Sequence, residues 1–271
     1  MKVFISVDLE GIGGIVHSDQ CSPGTRQYDE ACAFMTAEAN AAISGAFEGG
    51  ASELVVNDAH GAQRNVSLLD LDPRARLITG SRKPLSMMEG VDESFDAAFF
   101  IGYHAGAGSY GVLSHTYDSP VWAVRLNSQS AGEITINAAL AGYYGVPVAL
   151  VTGDSAACRE ALSILGAVEA VSVKEPVSRY SANCWHPTVV RDRIKSAAKS
   201  AANRVSELEP FTLEPPIRFE LTFTHPGYAD RANLMPGTTR SEPVVVAYES
   251  DDFVAAYRGF LTMLALASSI A

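Results

Sequence analysis

Through its first two thirds the chain alternates short apolar runs, rich in Val, Ile and Phe, with longer stretches whose apolar positions recur every three or four residues. The short runs read as strands and the long ones as helices. Strands are predicted over 3–8, 53–57, 76–79, 97–101, 121–126, 146–151 and 168–173. Helices are predicted over 27–47, 133–144 and 155–165, the first stopped by Gly49 and Gly50. A polar turn is expected at 127–130. This alternation predicts an α/β fold built on a largely parallel sheet flanked by helices.

Beyond residue 173 the pattern changes. Residues 189–208 predict a long polar helix with Lys and Arg on its outer face. Strands at 217–223 and 244–248 bracket the loop Asn233-Leu234-Met235-Pro236-Gly237, and a helix over 251–268 closes the chain, capped by Asp251 or Asp252. The composition shifts near 174–181. The expected organisation is therefore a main α/β domain over 1–178 and a smaller C-terminal α+β unit over 179–271, serving oligomerisation and covering the pocket. The apolar stretch 260–271 is too short to span a bilayer and reads as the buried face of the last helix.

Composition narrows the partners. The formal net charge is −11, which argues against nucleic acid or an anionic membrane. The four cysteines, Cys21, Cys32, Cys158 and Cys184, form no CxxC pair, so neither a thiolate zinc site nor a redox motif is expected. No basic segment leads into a long apolar run at the N-terminus. A reducing, cytoplasmic setting is the expectation.

The candidate chemistry sits at strand ends. The first predicted strand ends in Asp8-Leu9-Glu10, the second in Asp58-Ala59-His60 and the fourth in Tyr103-His104. In a parallel sheet the carboxyl ends of the strands share one edge, where ligands bind. Asp8, Glu10, Asp58, His60 and His104 are thus expected to converge. Alone, Asp8 reads as a loop carboxylate, His60 as a hydrogen-bonded loop histidine and His104 as a core histidine. Three strand ends carrying Asp-x-Glu, Asp-x-His and His together favour a metal site, because neighbouring carboxylates stay ionised most easily beside a cation. Imidazole and carboxylate without thiolate suit zinc, with manganese, iron and cobalt as alternatives. The number of ligands points to two ions. Glu133 by itself reads as an acid placed in the first turn of a helix by the helix dipole. His17, His186 and His225 lie in loop contexts and are given no role.

Two glycine motifs are set aside. Gly106-Ala107-Gly108-Ser109-Tyr110-Gly111 matches the dinucleotide pattern, but the chain reaches Pro120 with no room for the helix that pattern needs. Gly11-Ile12-Gly13-Gly14 fails the pattern at its third position. No GxSxG elbow is present.

Several segments together resemble the bacterial D-aminopeptidase family, nearly end to end and in the same order. They are Ser6-Val7-Asp8-Leu9-Glu10-Gly11, Val56-Asn57-Asp58-Ala59-His60, Gly102-Tyr103-His104-Ala105, Ser114-His115, Gly132-Glu133 and Asn233-Leu234-Met235-Pro236-Gly237. The resemblance implies a dinuclear zinc metallopeptidase, with two Zn2+ per chain held by Asp8, Glu10, His60, His104 and Glu133, and with Asp8 bridging. It implies that His115 is the catalytic histidine, described in the family as a nucleophile. It further implies ring-shaped homodecamers and, as substrates, short peptides with an N-terminal D-residue, commonly D-alanine. The chain departs from the family after His104, where it is richer in glycine, and around 14–23.

The functional expectation is hydrolysis of the N-terminal amide of short D-amino-acid peptides. His115 is preferred as proton donor or oxyanion partner, since a metal pair already supplies a nucleophile. A metal-dependent phosphoesterase is the first rival, disfavoured by the lack of a Gly-Asn-His-Asp or Gly-Asn-His-Glu segment. A non-catalytic metal-dependent peptide-binding protein is the second, disfavoured by the presence of all five ligands together with His115.

Overall fold

The computed structural model describes residues 1–269, so positions 270 and 271 of the apolar C-terminal stretch lie outside the described residues. In chain order the elements are β1 (Lys2–Val7), α1 (Arg26–Glu48), β2 (Glu53–Asp58), β3 (Ala75–Ile78), β4 (Ala97–Tyr103), β5 (Val121–Leu126), β6 (Gln129–Ser130), α2 (Glu133–Tyr143) and β7 (Val148–Asp154). There follow α3 (Ser155–Leu165), β8 (Glu169–Ser178), β9 (Ser181–Cys184), α4 (Pro187–Asn203), β10 (Ile217–Phe223), α5 (Pro226–Ala232), β11 (Thr239–Glu242), β12 (Val245–Ser250) and α6 (Phe253–Ala267).

Seven strands form the main sheet, in the order β3-β2-β1-β4-β7-β8-β9. All neighbours are parallel except β9, which turns back antiparallel on β8. The strands are apolar on both faces because both faces are covered. Val3, Ile5 and Val7 pack with Ala39, Ala42 and Ala46 of α1 and with Val190, Ile194 and Ala198 of α4. On the opposite face Phe4 and Phe100 join the core of α2, α6 and a second sheet. That second sheet is antiparallel, in the order β11-β12-β10-β5-β6. In β10 every second residue, Ile217, Phe219, Leu221 and Phe223, points into the core, the alternation expected of a sheet wet on one side.

Besides three short 3-10 helical turns at Ser18–Gln20, Ser86–Met88 and Val205–Glu207, the structure adds four elements to those read from the sequence: β6, β9, α5 and β11. Three are strands of two or four residues, with exposed or partly exposed side chains. The expected turn at 127–130 is a two-residue hairpin, with Asn127 and Ser128 both in the left-handed region at φ 47° and 69°, and it continues into β6. Helix α5 was hidden by the turn-like pair Pro226-Gly227. Pro226 occupies its first turn, and the His225 ring caps the Gly227 amide at 3.0 Å.

Two features bring the ends of β1, β2 and β4 together. From β1 the chain moves outward to β2 and β3, then returns to β4 on the other side of β1. This reversal opens a crevice at the carboxyl ends of β1 and β4. In addition, the turn after β1 lies directly on the end of β4, with the Gly11 amide donating to the Gly102 carbonyl at 2.8 Å. A Cβ on Gly11 would sit 2.0 Å from the Tyr103 carbonyl oxygen, and one on Gly102, whose φ is +70°, would sit 2.3 Å from that of Asp8. Only glycine allows that approach.

Candidate metal centre

Asp8 follows β1 directly, and its amide still donates to the Ile101 carbonyl of β4 at 2.8 Å. Glu10 lies one turn further. His60 comes two residues past the end of β2, and His104 follows β4. Glu133 is the first residue of α2, a helix buried along almost its whole length. These five side chains, though distant in sequence, are buried against one another at the sheet edge.

Asp8 lies at the middle of the group. Its Oδ1 is 3.4 Å from His60 Nδ1, and its Oδ2 is 3.5 Å from His104 Nε2. Glu10 Oε2 lies 2.8 Å from His60 Nδ1, and Glu133 Oε2 lies 3.4 Å from His104 Nε2. Two half-sites emerge that share Asp8: one with Glu10 and His60, the other with His104 and Glu133. His115 comes from the loop after β4 and reaches both halves, its Nε2 4.0 Å from Glu10 Oε1 and from Glu133 Oε1. At 27% side-chain exposure it is the open member of a group otherwise shut off from water.

The main chain fixes the histidine tautomers. His60 Nε2 is 2.9 Å from the Cys21 carbonyl, His104 Nδ1 is 3.0 Å from the Ala105 carbonyl and His115 Nδ1 is 2.9 Å from the Leu113 carbonyl. A carbonyl only accepts, so each of these nitrogens must carry a proton. In the neutral ring the other nitrogen then presents a lone pair to the cluster, an arrangement usual for metal-binding imidazoles. Asp8 Oδ2 and His104 Nε2, both deeply buried, have no hydrogen-bond partner. Buried polar atoms without a partner are costly, and a cation between them removes the cost. The donor set of three carboxylates and imidazoles, with no thiolate required, fits zinc.

The buried groups of the cluster shift one another's acidity. Burial, then the neighbouring Glu10, raises the Asp8 carboxyl to about 6. Burial pulls His104 down, but the adjacent Glu133 carboxylate and the charges of Asp8 and Glu10 outweigh it and lift the ring to about 10. His60 is raised in the same way, chiefly by Glu10 against its own burial. Glu10 and Glu133 are held below the usual carboxylate range, because His60 and His104 respectively outweigh the effect of burial.

A second layer orients the first. The Tyr117 amide donates to Glu133 Oε1 at 2.6 Å. Below it runs a buried chain in which the Tyr117 hydroxyl meets Asn137 and Tyr257, Asn137 donates to the Tyr103 hydroxyl, and Tyr103 meets Ser6. The turn that carries Glu10 is held by Lys174, a fully buried residue of β8. Its Nζ donates to the carbonyls of Glu10, Ile12 and Ile15 at 2.5, 2.9 and 2.6 Å. Glu38 of α1 accepts from the Gly13 amide of the same turn at 2.9 Å. Of these supports the sequence offers Asn137, which lies one turn after Glu133 on the same helix face and reads there either as a support of this kind or as a surface polar residue; the others were not singled out. Lys174 did carry a signal, a charge continuing the apolar run Ala170-Val171-Ser172-Val173, since a lysine is almost never fully buried unless it has partners.

One expected member does not join. The Asp58 carboxylate turns away and accepts from the Asn65 amide at 2.5 Å, the Val66 amide at 2.7 Å and the Asn65 side chain at 2.8 Å. It shapes the loop that carries His60. His17, His186 and His225 each cap a short or long helix from outside the cluster.

The centre opens into a cleft of about 940 Å3. Both segments in which the sequence departs from the family border it, through Ser18, Cys21 and Ser22 on one side and residues 107–111 on the other. The glycine-rich run 106–111 is cleft wall, with no helix after it before β5.

The chain is similar to known proteins over nearly its whole length. The model of the D-aminopeptidase family, peptidase family M55, matches residues 1–262. A curated D-aminopeptidase of Bacillus subtilis (strain 168) is 38% identical over 270 residues, covering 98% of each chain. A solved structure described as the Zn-dependent D-aminopeptidase DppA from Bacillus subtilis, a self-compartmentalizing protease, superposes with a TM-score of 0.98 at 36% identity. That match covers 100% of this chain and 99% of the other.

Proposed function

The chain belongs to the D-aminopeptidase family, and on that premise we propose that it releases the N-terminal residue of short peptides beginning with a D-amino acid, D-alanine foremost. It is a zinc-dependent D-aminopeptidase, a metallopeptidase and hydrolase. Asp8, Glu10 and His60 would hold one zinc ion and His104 and Glu133, together with Asp8, a second. The observation that carries this reading is the pair of buried, unpartnered atoms Asp8 Oδ2 and His104 Nε2, set among carboxylates and imidazoles whose outer nitrogens are tied to carbonyls.

When bound, the zinc ions supply Lewis acidity toward the scissile carbonyl and a lowered pKa for water. The chain's own groups do the rest. Asp118, the one cleft carboxylate among the described residues that is not among these zinc ligands, is available to attract the free amine of the peptide. His115 keeps Nδ1–H on the Leu113 carbonyl, which leaves Nε2 facing the cleft to carry protons. Hydrolysis takes a proton from the attacking water and delivers one to the leaving amine, and an imidazole at the open side of the centre is suited to both transfers. A covalent role for His115 is not needed.

The subunits assemble into a closed homo-oligomer, a decamer, in keeping with a relative described as self-compartmentalizing. The compartment of action is the cytoplasm, consistent with four free cysteines. Among the described residues no helix is long and apolar enough to cross a membrane.

The test is a panel of D- and L-dipeptides assayed with zinc-loaded and metal-stripped protein, alongside elemental analysis. The expected result is about two zinc ions per chain and hydrolysis confined to peptides with an N-terminal D-residue. Turnover of phosphate esters in place of peptides would overturn the reading.

A further inference from the structure

The walls of the cleft carry their charge unevenly. Asp8, Glu10, Asp118 and Glu133 are acidic, and Arg179 is the one lysine or arginine among the described lining residues. Arg179 stands at the turn of the β8–β9 hairpin, between the paired residues Ser178 and Ser181. The hairpin grips the loop that carries His115. The Leu113 amide donates to the Arg179 carbonyl at 2.9 Å. Arg179 Nη1 donates to the Ser114 carbonyl and, at 3.2 Å, to the Ser114 hydroxyl, and Nε reaches the Tyr180 hydroxyl at 3.3 Å.

These bonds use only part of the guanidinium. Among the described residues Nη2 has no hydrogen-bond partner and no carboxylate within ion-pair distance, although acids outnumber bases in the chain. An arginine anchored along one side presents its remaining N–H groups at little further entropic loss, and its planar fork suits a carboxylate. With Asp8, Glu10 and Glu133 assigned to zinc, Arg179 remains as the one fixed side-chain cation on the cleft wall among the described residues. A free carboxylate is the substrate group that such a cation pairs with.

We propose that Arg179 binds the C-terminal carboxylate of short peptide substrates and so sets a preference for free over capped peptides. This rests on the peptidase reading and adds to it a subsite that recognises the far end of the substrate. Peptides with both termini free, and short enough to join the metal centre and Arg179, are the class selected. The contacts to Ser114 allow a different role, in which Arg179 only holds the His115 loop, and the two roles differ in what they do to a capped substrate.

The experiment compares kcat/KM for D-Ala-D-Ala and D-Ala-D-Ala-D-Ala with that for their C-terminal amides, in wild type and in Arg179→Gln and Arg179→Lys, with zinc content measured throughout. For at least one of the two lengths, wild type is expected to prefer the free acid by about tenfold or more, mainly through KM, as for a charge-assisted hydrogen bond. In Arg179→Gln the preference should shrink to about twofold or less with zinc content held, whatever loss of the Ser114 contacts costs acid and amide alike, and Arg179→Lys should keep part of it. Equal wild-type rates on acid and amide at both lengths would overturn the proposal and leave the peptidase reading intact. An equal fall on acid and amide in Arg179→Gln would overturn it in favour of the loop-holding role. Wild type inactive on all four peptides would remove the peptidase reading and this proposal with it.

Discussion

The imidazoles of His104 and His115 lie face to face, with 4.2 Å between ring centroids and 9° between their planes. One ring is fully buried with its Nε2 toward Asp8 and Glu133; the other is partly open to the cleft. The stack, together with the Leu113 carbonyl, leaves the His115 ring one orientation.

From this follows a prediction for His115→Ala. Zinc content should stay at the wild-type level, and kcat should fall by about two to four powers of ten, the range for loss of a general acid or base. Elemental analysis and steady-state kinetics on the same preparation decide it. A parallel loss of zinc would make His115 a ligand instead, and near-normal turnover would remove it from the chemistry.

Asp8 lies between the half-sites, within 3.4–3.5 Å of a histidine in each, whereas Glu10 approaches only His60 that closely. Asp8→Ala is therefore expected to release both zinc ions, and Glu10→Ala chiefly one. Zinc retained per chain after dialysis against a weak chelator measures the difference, and equal retention by the two variants would end the bridging assignment.

Removing the Lys174 ammonium would leave the Glu10 and Ile15 carbonyls without a donor, while the Ile12 carbonyl keeps the Ile15 amide at 3.2 Å. Lys174→Met should lose at least about 3 kcal/mol of stability, read from denaturant midpoints. Because those carbonyls belong to the turn that carries Glu10, the zinc held by Glu10 and His60 should dissociate before the other. A variant with wild-type stability and two firmly held zinc ions would show that the turn needs no such clasp.

Glu38 supplies a pH effect remote from the ligands. Its Oε2 is buried and unpartnered. Burial raises its carboxyl from 4.5 to about 7, against the opposing Gly13 amide and the charges of Lys174 and Arg191 that face it. A carboxyl raised on folding favours the folded state while protonated. Its contribution is full below about pH 4.5 and is lost as pH rises through about 7. Glu38→Gln keeps an acceptor for Gly13 and removes the titration. At pH 8 the variant should be more stable than wild type by roughly 2–3 kcal/mol, with the gap closing toward pH 4.5. A constant gap across chemical melts at several pH values would contradict this origin.

How much was legible in the sequence follows from where each residue stands. Asp8, Glu10, His60 and His104 follow strand ends, and a parallel sheet gathers its carboxyl ends by geometry alone, so the strand pattern was enough to group them. Asp58 shares that position, yet its side chain goes to the amides of Asn65 and Val66, a loop contact that no periodicity encodes. Glu133 enters from the other side of the molecule. It begins α2 after the β5–β6 hairpin, whose strands belong to the second sheet, and strand pattern does not say which sheet a strand joins. Only the family resemblance singled it out. The outline of the main sheet was readable from apolar runs, while β9 and β11 were not, being short and held mainly by backbone pairing.

The three carbonyls behind His60, His104 and His115 belong to Cys21, Ala105 and Leu113. A carbonyl is common to all twenty amino acids, so the protonation pattern of the centre is indifferent to which side chains those positions bear. Cys21 and its neighbours, which border the cleft, can therefore exchange side chains under selection for new peptides while the imidazoles keep their tautomers. What such drift must preserve is the path of the main chain, and so an insertion or deletion in these loops should be far more damaging than a substitution.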